Sequence, residues 1–157
     1  MADTIRENII SAYTTRLATM TTINGYVVGA GDCNPDEAGV YRATPEVDPD
    51  DIPACVVWPG IEEAVKDYGE HECAMKMKVE AMAPIGTTNP SIIQERILGD
   101  LKKCLFDMTV IIHADIEGIV YIGGGVSQTP SEEDTIAAAY VEFTVKYNEI
   151  VGDPYTN

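Results

Sequence analysis

The residues best suited to bind a metal are His71 and Cys73, which stand two positions apart in the sequence. Alternate side chains of a β-strand point to the same face, so both could contact one ion if this segment is a strand. Structural zinc sites, however, use four nitrogen or sulfur ligands, usually supplied as closely spaced pairs. The sequence has no second pair with such spacing, and His113 follows an apolar segment with no partner motif. We therefore expect no metal site.

The serines and the acidic pairs form no recognisable catalytic pattern. A serine nucleophile needs a base and an orienting group, and the motif G-x-S-x-G is absent. The acidic pairs Glu62-Glu63, Glu132-Glu133 and Asp50-Asp51 are most simply solvated charges. The sequence therefore predicts a protein that is not an enzyme and that has no catalytic or cofactor-binding residues.

Gly123-Gly124-Gly125 is the segment most similar to a phosphate-binding loop. A true phosphate loop continues into Lys followed by Ser or Thr and then into a helix. Here the glycines are followed by VSQTPSEED, whose carboxylates would repel a phosphate. We expect the three glycines to form a flexible loop or a kink at the end of a strand.

Charge is the strongest compositional feature. Ten Lys and Arg residues face 26 Asp and Glu residues, and the formal net charge is −16. Nucleic-acid binding requires clustered basic side chains, but Lys102-Lys103 is the only adjacent basic pair. Sequence-specific binding of DNA or RNA is therefore not expected. The acidity favours either solubility alone or a surface that repels polyanions.

The chain length of 157 residues predicts one domain, 1–157, with a core that needs neither disulfides nor metal. No apolar segment is long enough to cross a membrane, and the polar, acidic N-terminus is unlike a signal peptide. Cys33, Cys55, Cys73 and Cys104 include no C-x-x-C pair, so we expect reduced thiols in a cytoplasmic compartment. Two of them, Cys55 and Cys73, fall in predicted strands and are expected in the core.

Two segments alternate apolar and polar side chains with the period of a half-buried strand. They are residues 71–81 and 138–147. In the second, Val141, Phe143 and Val145 share one face, while the opposite face is polar. Because one face is apolar and the other carries mixed charges, both segments predict antiparallel strands with cross-strand charge pairs between them.

Two other segments have the spacing of amphipathic helices, residues 4–20 and residues 89–106. Asp3 or Thr4 can accept the N-terminal hydrogen bond of the first helix. Asn89 can do so for the second, which begins with a proline, as helices often do. Both helices have an apolar stripe that predicts docking on a sheet.

Shorter apolar segments predict further strands at residues 26–28, 40–43, 54–58, 108–113 and 119–122, and Pro59-Gly60 is expected to end the strand at 54–58. Residues 29–53 and 123–134 are expected to be long loops, and long loops favour a binding role. The order of elements predicts an α+β fold. It consists of an antiparallel sheet of about four to six strands, two main helices packed on one face, and long acidic loops.

Five segments in order are IRE at residues 5–7, IPACVVWPG at 52–60, MKMKVEA at 75–81, a helix beginning with NPS at 89–91, and a last strand that leads to GDPY at 152–155. Together they resemble the tail terminator (tail-completion) proteins of long-tailed bacteriophages. The resemblance implies a small α+β subunit that forms a hexameric ring at the head-proximal end of the tail tube. Such a ring stops tube polymerisation and provides the attachment surface for the head connector.

The resemblance also implies partners and a location. The partners would be further copies of the chain, the tail tube protein and the head-tail connector or stopper protein, and no membrane would be involved. The protein would be assembled in the host cytoplasm and would lie in the neck region of the virion tail. DNA would pass through the lumen without specific binding, and acids such as Glu132, Glu133 and Asp134 would keep it from adhering.

Three alternatives remain open on the sequence. A head completion or connector-stopper protein of the virion neck has a similar ring architecture, so analogy of fold does not separate it from a terminator. A cytoplasmic domain that binds a small ligand would require an apolar pocket with convergent polar groups. A small hydrolase would require a nucleophile and a base within hydrogen-bond reach.

Overall fold

The computed structural model describes residues 3–22, 24–27, 39–44, 46–66, 69–127 and 135–155. Within these ranges the chain forms α1 (Ile5–Leu17), β1 (Val40–Arg42), β2 (Ala54–Lys66), β3 (Glu70–Pro84), α2 (Pro90–Leu105), β4 (Ile116–Val126) and β5 (Ile136–Ile150). A short 3-10 turn at Pro49–Asp51 precedes β2. The predicted α+β class is confirmed.

The five strands form one sheet in the order β1-β2-β3-β5-β4. Neighbouring strands are antiparallel, except that β1 runs parallel to β2 over three residue pairs. The sheet is therefore mixed, whereas the sequence predicted a wholly antiparallel one. The parallel pair arises because β1 and β2 are joined by a long crossing connection instead of a hairpin.

The β3–β5 pair is the centre of the sheet and has the longest continuous register. Its pairs run from Glu70 opposite Ile150 to Pro84 opposite Ile136. Met77 and Phe143 are directly opposite each other on the face that carries the helices. On that face every second side chain from Cys73 to Ala83, and from Ala137 to Tyr147, is buried. The alternation found in the sequence is confirmed.

Both helices pack on this same face. Ile9, Tyr13 and Leu17 of α1 and Ile97 and Leu101 of α2 are completely buried against it. Aromatic rings join the layers, because the Phe143 ring lies 5.3 Å from that of Tyr13 and 5.5 Å from that of Phe106. The core is thus a two-layer arrangement of helices on one sheet face.

The helix starts follow the predicted capping chemistry. The Thr4 hydroxyl accepts a hydrogen bond from the Glu7 amide at 3.1 Å, and the Asn89 side chain accepts one from the Ser91 amide at 2.9 Å. Helix α1 ends at Leu17, three residues earlier than predicted, and residues 18 and 19 form a turn. The C-terminal tail fixes the start of α1, since the Pro154 carbonyl accepts from the Ile5 amide at 2.9 Å.

The prediction that Pro59-Gly60 ends β2 is wrong. The strand continues to Lys66, and its register against β3 shifts between Pro59 and Glu62. Pairing between β1 and β2 stops at Val57, so among the described residues no strand on that side needs the missing amide hydrogen of Pro59. Proline is tolerated in a sheet at such edge positions and bulges.

The prediction that the three glycines form a loop or a kink at a strand end is also wrong. Gly123, Gly124 and Gly125 lie inside β4 and pair with β5, next to a register shift after Tyr121. A Cβ atom on Gly124 would lie 2.6 Å from the Tyr140 carbonyl oxygen and 3.1 Å from Leu98. The sequence has glycine here because the backbone of β4 is closely approached by its neighbours.

Three further expectations need correction or restriction. Residues 108–113, predicted as a strand, form turns and an irregular connection instead. Tyr26 and Val27 form no strand, while β1 falls within the predicted segment 40–43. The expected acidic loops lie largely outside the described residues, which omit 28–38 and 128–134. Cys33 also lies outside them.

The close contact at Gly124 predicts a position-specific loss of stability. Gly124→Ala should destabilise the fold by about 1–3 kcal/mol, because the added methyl group meets backbone and must push the strands apart. Gly125→Ala is the matched control, since its Cβ would find open space. It should change the free energy of unfolding by no more than about 0.5 kcal/mol. Urea unfolding measures both, and equal effects at the two positions would contradict the β4–β5 register.

Candidate assembly interface

The sheet has two open edges on opposite sides. Strand β4 is the last strand on one side and has no strand neighbour beyond it among the described residues. On the other side β1 covers only residues 55–57 of β2. Residues 58–66 of β2 are here named the β2 edge. They pair with β3 on one side, but on the other side they have no strand neighbour within the described part of the chain. Open edges present amide and carbonyl groups that can pair with another chain.

Both edges carry exposed apolar side chains. Ile61 and Val65 on the β2 edge are 72% and 70% exposed. On β4, Val120 and Ile122 are about half exposed. Soluble domains usually blunt such edges with charge, proline or a covering segment. At the β2 edge this covering is partial. The Arg6 guanidinium donates to the Gly60 carbonyl at 2.9 Å, while Ile61 and Val65 stay exposed.

Residues 106–113, the first part of the connection between α2 and β4, are here named the apolar loop. Met108 is 92% exposed and Ile111 is 84% exposed. The loop is held in a defined shape by Asp107, whose carboxylate accepts from the Thr109 amide at 2.9 Å and from its hydroxyl at 2.6 Å. These bonds lower the pKa of Asp107 below its usual value. A structured loop that exposes large apolar side chains is typical of a protein–protein contact.

An apolar groove of about 320 Å³ lies between this loop and the first half of β4. Its walls come from the end of α2, the apolar loop and β4. The Phe106 ring forms its base, where it meets the Tyr121 ring edge-on at a centroid distance of 5.3 Å. The groove adjoins the open edge of β4, so groove, loop and edge form one continuous surface.

The sheet face opposite the helices is more polar than this surface. Lys146 and Glu72 approach to 3.7 Å across β3 and β5, and the Lys78 ammonium lies 4.7 Å from the centre of the Tyr140 ring. These contacts confirm the predicted cross-strand pairing of charges. Exposed ion pairs of this kind contribute little stability, so their main effect is to keep this face hydrated.

The two histidines occupy different surroundings. His71 lies on β3 opposite Glu149 of β5, and its Nδ1 is 3.6 Å from the Glu149 carboxylate. His113 does not end a strand. It lies in the turn before β4, where its Nδ1 accepts from the Asp115 amide at 3.3 Å.

The structure does not group the His71 imidazole with the Cys73 thiol, but it brings two carboxylates to that thiol that the sequence did not reveal. Cys73, Glu62 and Glu149 place a thiol and two carboxylates together, with these ligand atoms all within 4.8 Å of one another. The Tyr147 hydroxyl also donates to Glu62 in a very short hydrogen bond. Burial, together with the charges of the two carboxylates, raises the pKa of the Cys73 thiol to about 11.

The remaining residues singled out in the sequence are separated in space or lie outside the description. Glu62 and Glu63 face opposite sides of β2, the first toward Arg6 at 3.5 Å and the second toward Lys76 at 3.4 Å. Asp50 and Asp51 are exposed in the 3-10 turn. Residues 132–134, the expected lumen acids, lie outside the described residues. Cys55, Cys73 and Cys104 are free and buried, as expected for Cys55 and Cys73.

Sequence reasoning missed the apolar loop, although a signal was present. The segment MTVII at residues 108–112 is apolar, and its composition predicts a strand. It follows α2 directly, and the turn residues Asp107 and Thr109 stand at its start. An apolar segment that begins with turn chemistry indicates an exposed loop that contacts a partner.

Neither a protein-family model nor a curated protein matches this chain. Within the described residues, no helix has the length and apolar character needed to cross a membrane. The proposed function therefore depends on the geometry of the surface.

The apolar loop should control self-association. Ile111→Lys places a charge on an exposed side chain, so the free energy of unfolding should change by no more than about 0.5 kcal/mol. Association between copies should weaken at least about tenfold, because a charge would have to be desolvated in the contact. Ile92→Lys, an equivalent change at an exposed position near the start of α2, is the control and should leave association unchanged. Sedimentation over a concentration series measures both, and identical assembly of the two variants would contradict the assignment.

Proposed function

We propose that this chain is a structural virion protein, the tail terminator of a long-tailed bacteriophage. It acts as a hexameric ring on the head-proximal end of the tail tube, where it ends tube polymerisation and presents the attachment surface for the head connector. The observation that carries the proposal is the pair of open edges on opposite sides of one sheet, together with the apolar loop. The five-segment resemblance supplies the ring and its place in the virion.

Two different edges favour head-to-tail assembly. A contact in which the β2 edge of one copy meets β4 of the next uses two distinct surfaces. The first copy then still has its β4 edge free, and the second still has its β2 edge free. Repetition of such a contact gives a ring when the rotation closes and a filament when it does not. A terminator requires the closed form, since an open one would continue to grow.

The exposed apolar side chains of the two edges lie on the same face of the sheet. Val65 pairs with Glu72 and Val120 with Thr144, both on the face opposite the helices, so an incoming β2 edge can place Ile61 and Val65 against Val120 and Ile122. Addition of a strand to an open edge gives affinity through main-chain hydrogen bonds, and pockets for alternate side chains give specificity. In this arrangement Met108 and Ile111 would cover the joined edges from the side of the helices.

The charge of the chain fits a passage for DNA. With a formal charge of −16 per copy, a ring of this protein concentrates negative charge around its lumen. Like charges keep the DNA backbone from adhering to the wall during ejection. The proposed partners are therefore further copies of the chain, the tail tube protein and the connector or stopper protein, while DNA is a passing molecule. The proposed location is the neck region of the virion, and the proposed role involves no catalysis.

A second candidate function rests on the groove itself. A volume of about 320 Å³ is at the lower end of the range for small-molecule sites, and the lining includes the polar groups of Asp107 and His113. A domain that binds a small apolar ligand is the corresponding alternative. Binding of such a ligand by a monomer that does not associate would favour it over the ring.

Deletion of the gene from the phage or prophage that carries it tests the proposed function directly. Electron microscopy should show filled heads beside unattached tails of abnormal and variable length, because nothing stops tube polymerisation. Wild-type protein supplied in trans should restore particles, whereas Ile111→Lys should not and Ile92→Lys should.

Two other outcomes separate the alternatives. Tails of normal length beside leaking or tail-free heads would assign the protein to the head side of the neck, as a completion or stopper protein. Intact particles in the absence of the gene would contradict any role in the neck.

A further inference from the structure

A mixed set of metal-binding side chains meets at the end of the sheet beside the start of α1. Cys73 comes from β3, Glu149 from β5 and Glu62 from β2, while His71 of β3 lies beside Glu149. The β3–β5 register places His71 opposite Glu149 and Cys73 opposite Tyr147 on the helix-bearing face. The set therefore follows from strand register and not from a local sequence motif.

The bulge in β2 decides which side chain joins this set. Pro59 pairs with Met77 and Glu62 pairs with Met75, so three steps along β2 match two along β3. Without the extra residue, Ile61 would face inward opposite Met75. The bulge instead leaves Ile61 72% exposed and turns the Glu62 carboxylate toward the thiol. Bulges often aim a particular side chain at a functional site, and exchanging a buried isoleucine for a carboxylate has no benefit for packing.

The geometry of the donors suits a small cation. The thiol of Cys73 and the carboxylates of Glu62 and Glu149 lie within 4.8 Å of one another, and the His71 Nδ1 is 3.6 Å from the Glu149 carboxylate. Cys73 is completely buried, and the other three side chains are partly exposed. The cluster thus has a buried end that holds the sulfur and an open side through which an ion can enter.

The electrostatics of the cluster also favour a cation. The carboxylates of Glu149 and Glu62 both approach the buried Cys73 thiol. Arg6 is the basic side chain beside the cluster, at 3.5 Å from Glu62, and is partly exposed. A divalent ion would bind the two carboxylates and the thiolate form of Cys73. The repulsion among these negative groups would then be replaced by their attraction to the ion.

We propose that Glu62, Cys73 and Glu149 form a site for a divalent transition-metal ion, with zinc as the expected occupant and water in its fourth position. A thiolate excludes calcium and magnesium as preferred ions, since both select oxygen ligands. One sulfur and two carboxylates are ligand types of zinc, which accepts three protein ligands and a water in tetrahedral sites. Zinc would join β2, β3 and β5 at one point. Its binding is a property of the single chain and is independent of any role in a virion.

Metal content and spectroscopy of the purified full-length chain test this site. The protein should carry Cys33→Ser, which removes a thiol outside the described residues. After treatment with a chelator, Zn²⁺ should bind at one equivalent per chain and raise the unfolding temperature. Binding should release about one proton, that of the Cys73 thiol, which calorimetry in buffers of different ionisation enthalpy counts. Co²⁺ in place of zinc should show thiolate-to-metal charge-transfer absorption.

Matched variants separate a built site from incidental binding. Cys73→Ser should abolish the charge-transfer absorption, and both Cys73→Ser and Glu149→Gln should weaken zinc binding at least about tenfold. Cys104→Ser, at another buried thiol, and Glu63→Gln, on the opposite face of β2, should bind zinc as the parent protein does. Circular dichroism verifies that each variant is folded.

Three results would overturn the proposal. They are the absence of a stoichiometric zinc equivalent in the parent protein, retention of the cobalt absorption in folded Cys73→Ser, and equal losses in Glu149→Gln and Glu63→Gln. If Cys73→Ser fails to fold, Glu149→Gln decides the question, because this side chain is partly exposed and its replacement leaves the core intact.

Discussion

The antiparallel pairing of β3 with β5 is the constraint on which the rest of this structure depends. Fifteen residues of each strand are in register, and one face of the pair is almost entirely apolar. Both helices bury their own apolar stripes on that face, with Phe143 in contact with rings from both sides of the core. A one-residue slip in this register would turn every buried side chain toward solvent, so the hydrophobic effect fixes it strongly.

The same pairing determines what remains unsatisfied. With β3 and β5 at the centre, β2 and β4 become the outer long strands, and the three residues of β1 cover only a small part of β2. Each side of the sheet is left with an edge and exposed apolar side chains. A single chain cannot bury both edges because they face away from each other. Repeated contact between copies can, and this is the physical basis of the proposed ring.

The central strands, the helices and the fold class could be predicted from the sequence because their periodicity is local and their burial is one-sided. The errors share a different cause. Pro59 and the glycines at 123–125 are residue types that often end a strand, yet here they lie within β2 and β4. Proline is tolerated where a neighbouring strand is missing, and glycine is needed where another backbone passes very close. Edge position and close approach are properties of the tertiary structure, so no local pattern reports them.

The candidate surfaces were harder to predict for the same reason. Residues 108–112 have the composition of a strand but lie in a loop with Met108 and Ile111 largely exposed, and composition alone does not distinguish an exposed apolar surface from a core. The approach of Glu62 to Cys73 depends on one bulge in β2, which no spacing in the sequence reveals. His71 and Cys73 alone could be paired from the period of the strand.

Chemical cross-linking between the two edges tests the central claim most directly. In a Cys33→Ser background, Ile61→Cys marks the β2 edge and Val120→Cys marks β4, and a short bis-maleimide joins cysteines that come together. The account predicts cross-links when the two single variants are mixed, none within either variant alone, and a ladder ending at the hexamer when one chain carries both cysteines. Cross-linking of Val120→Cys to itself would indicate a symmetric pairing of β4 edges. That result, or the absence of cross-links in the mixture, would contradict head-to-tail assembly through these edges.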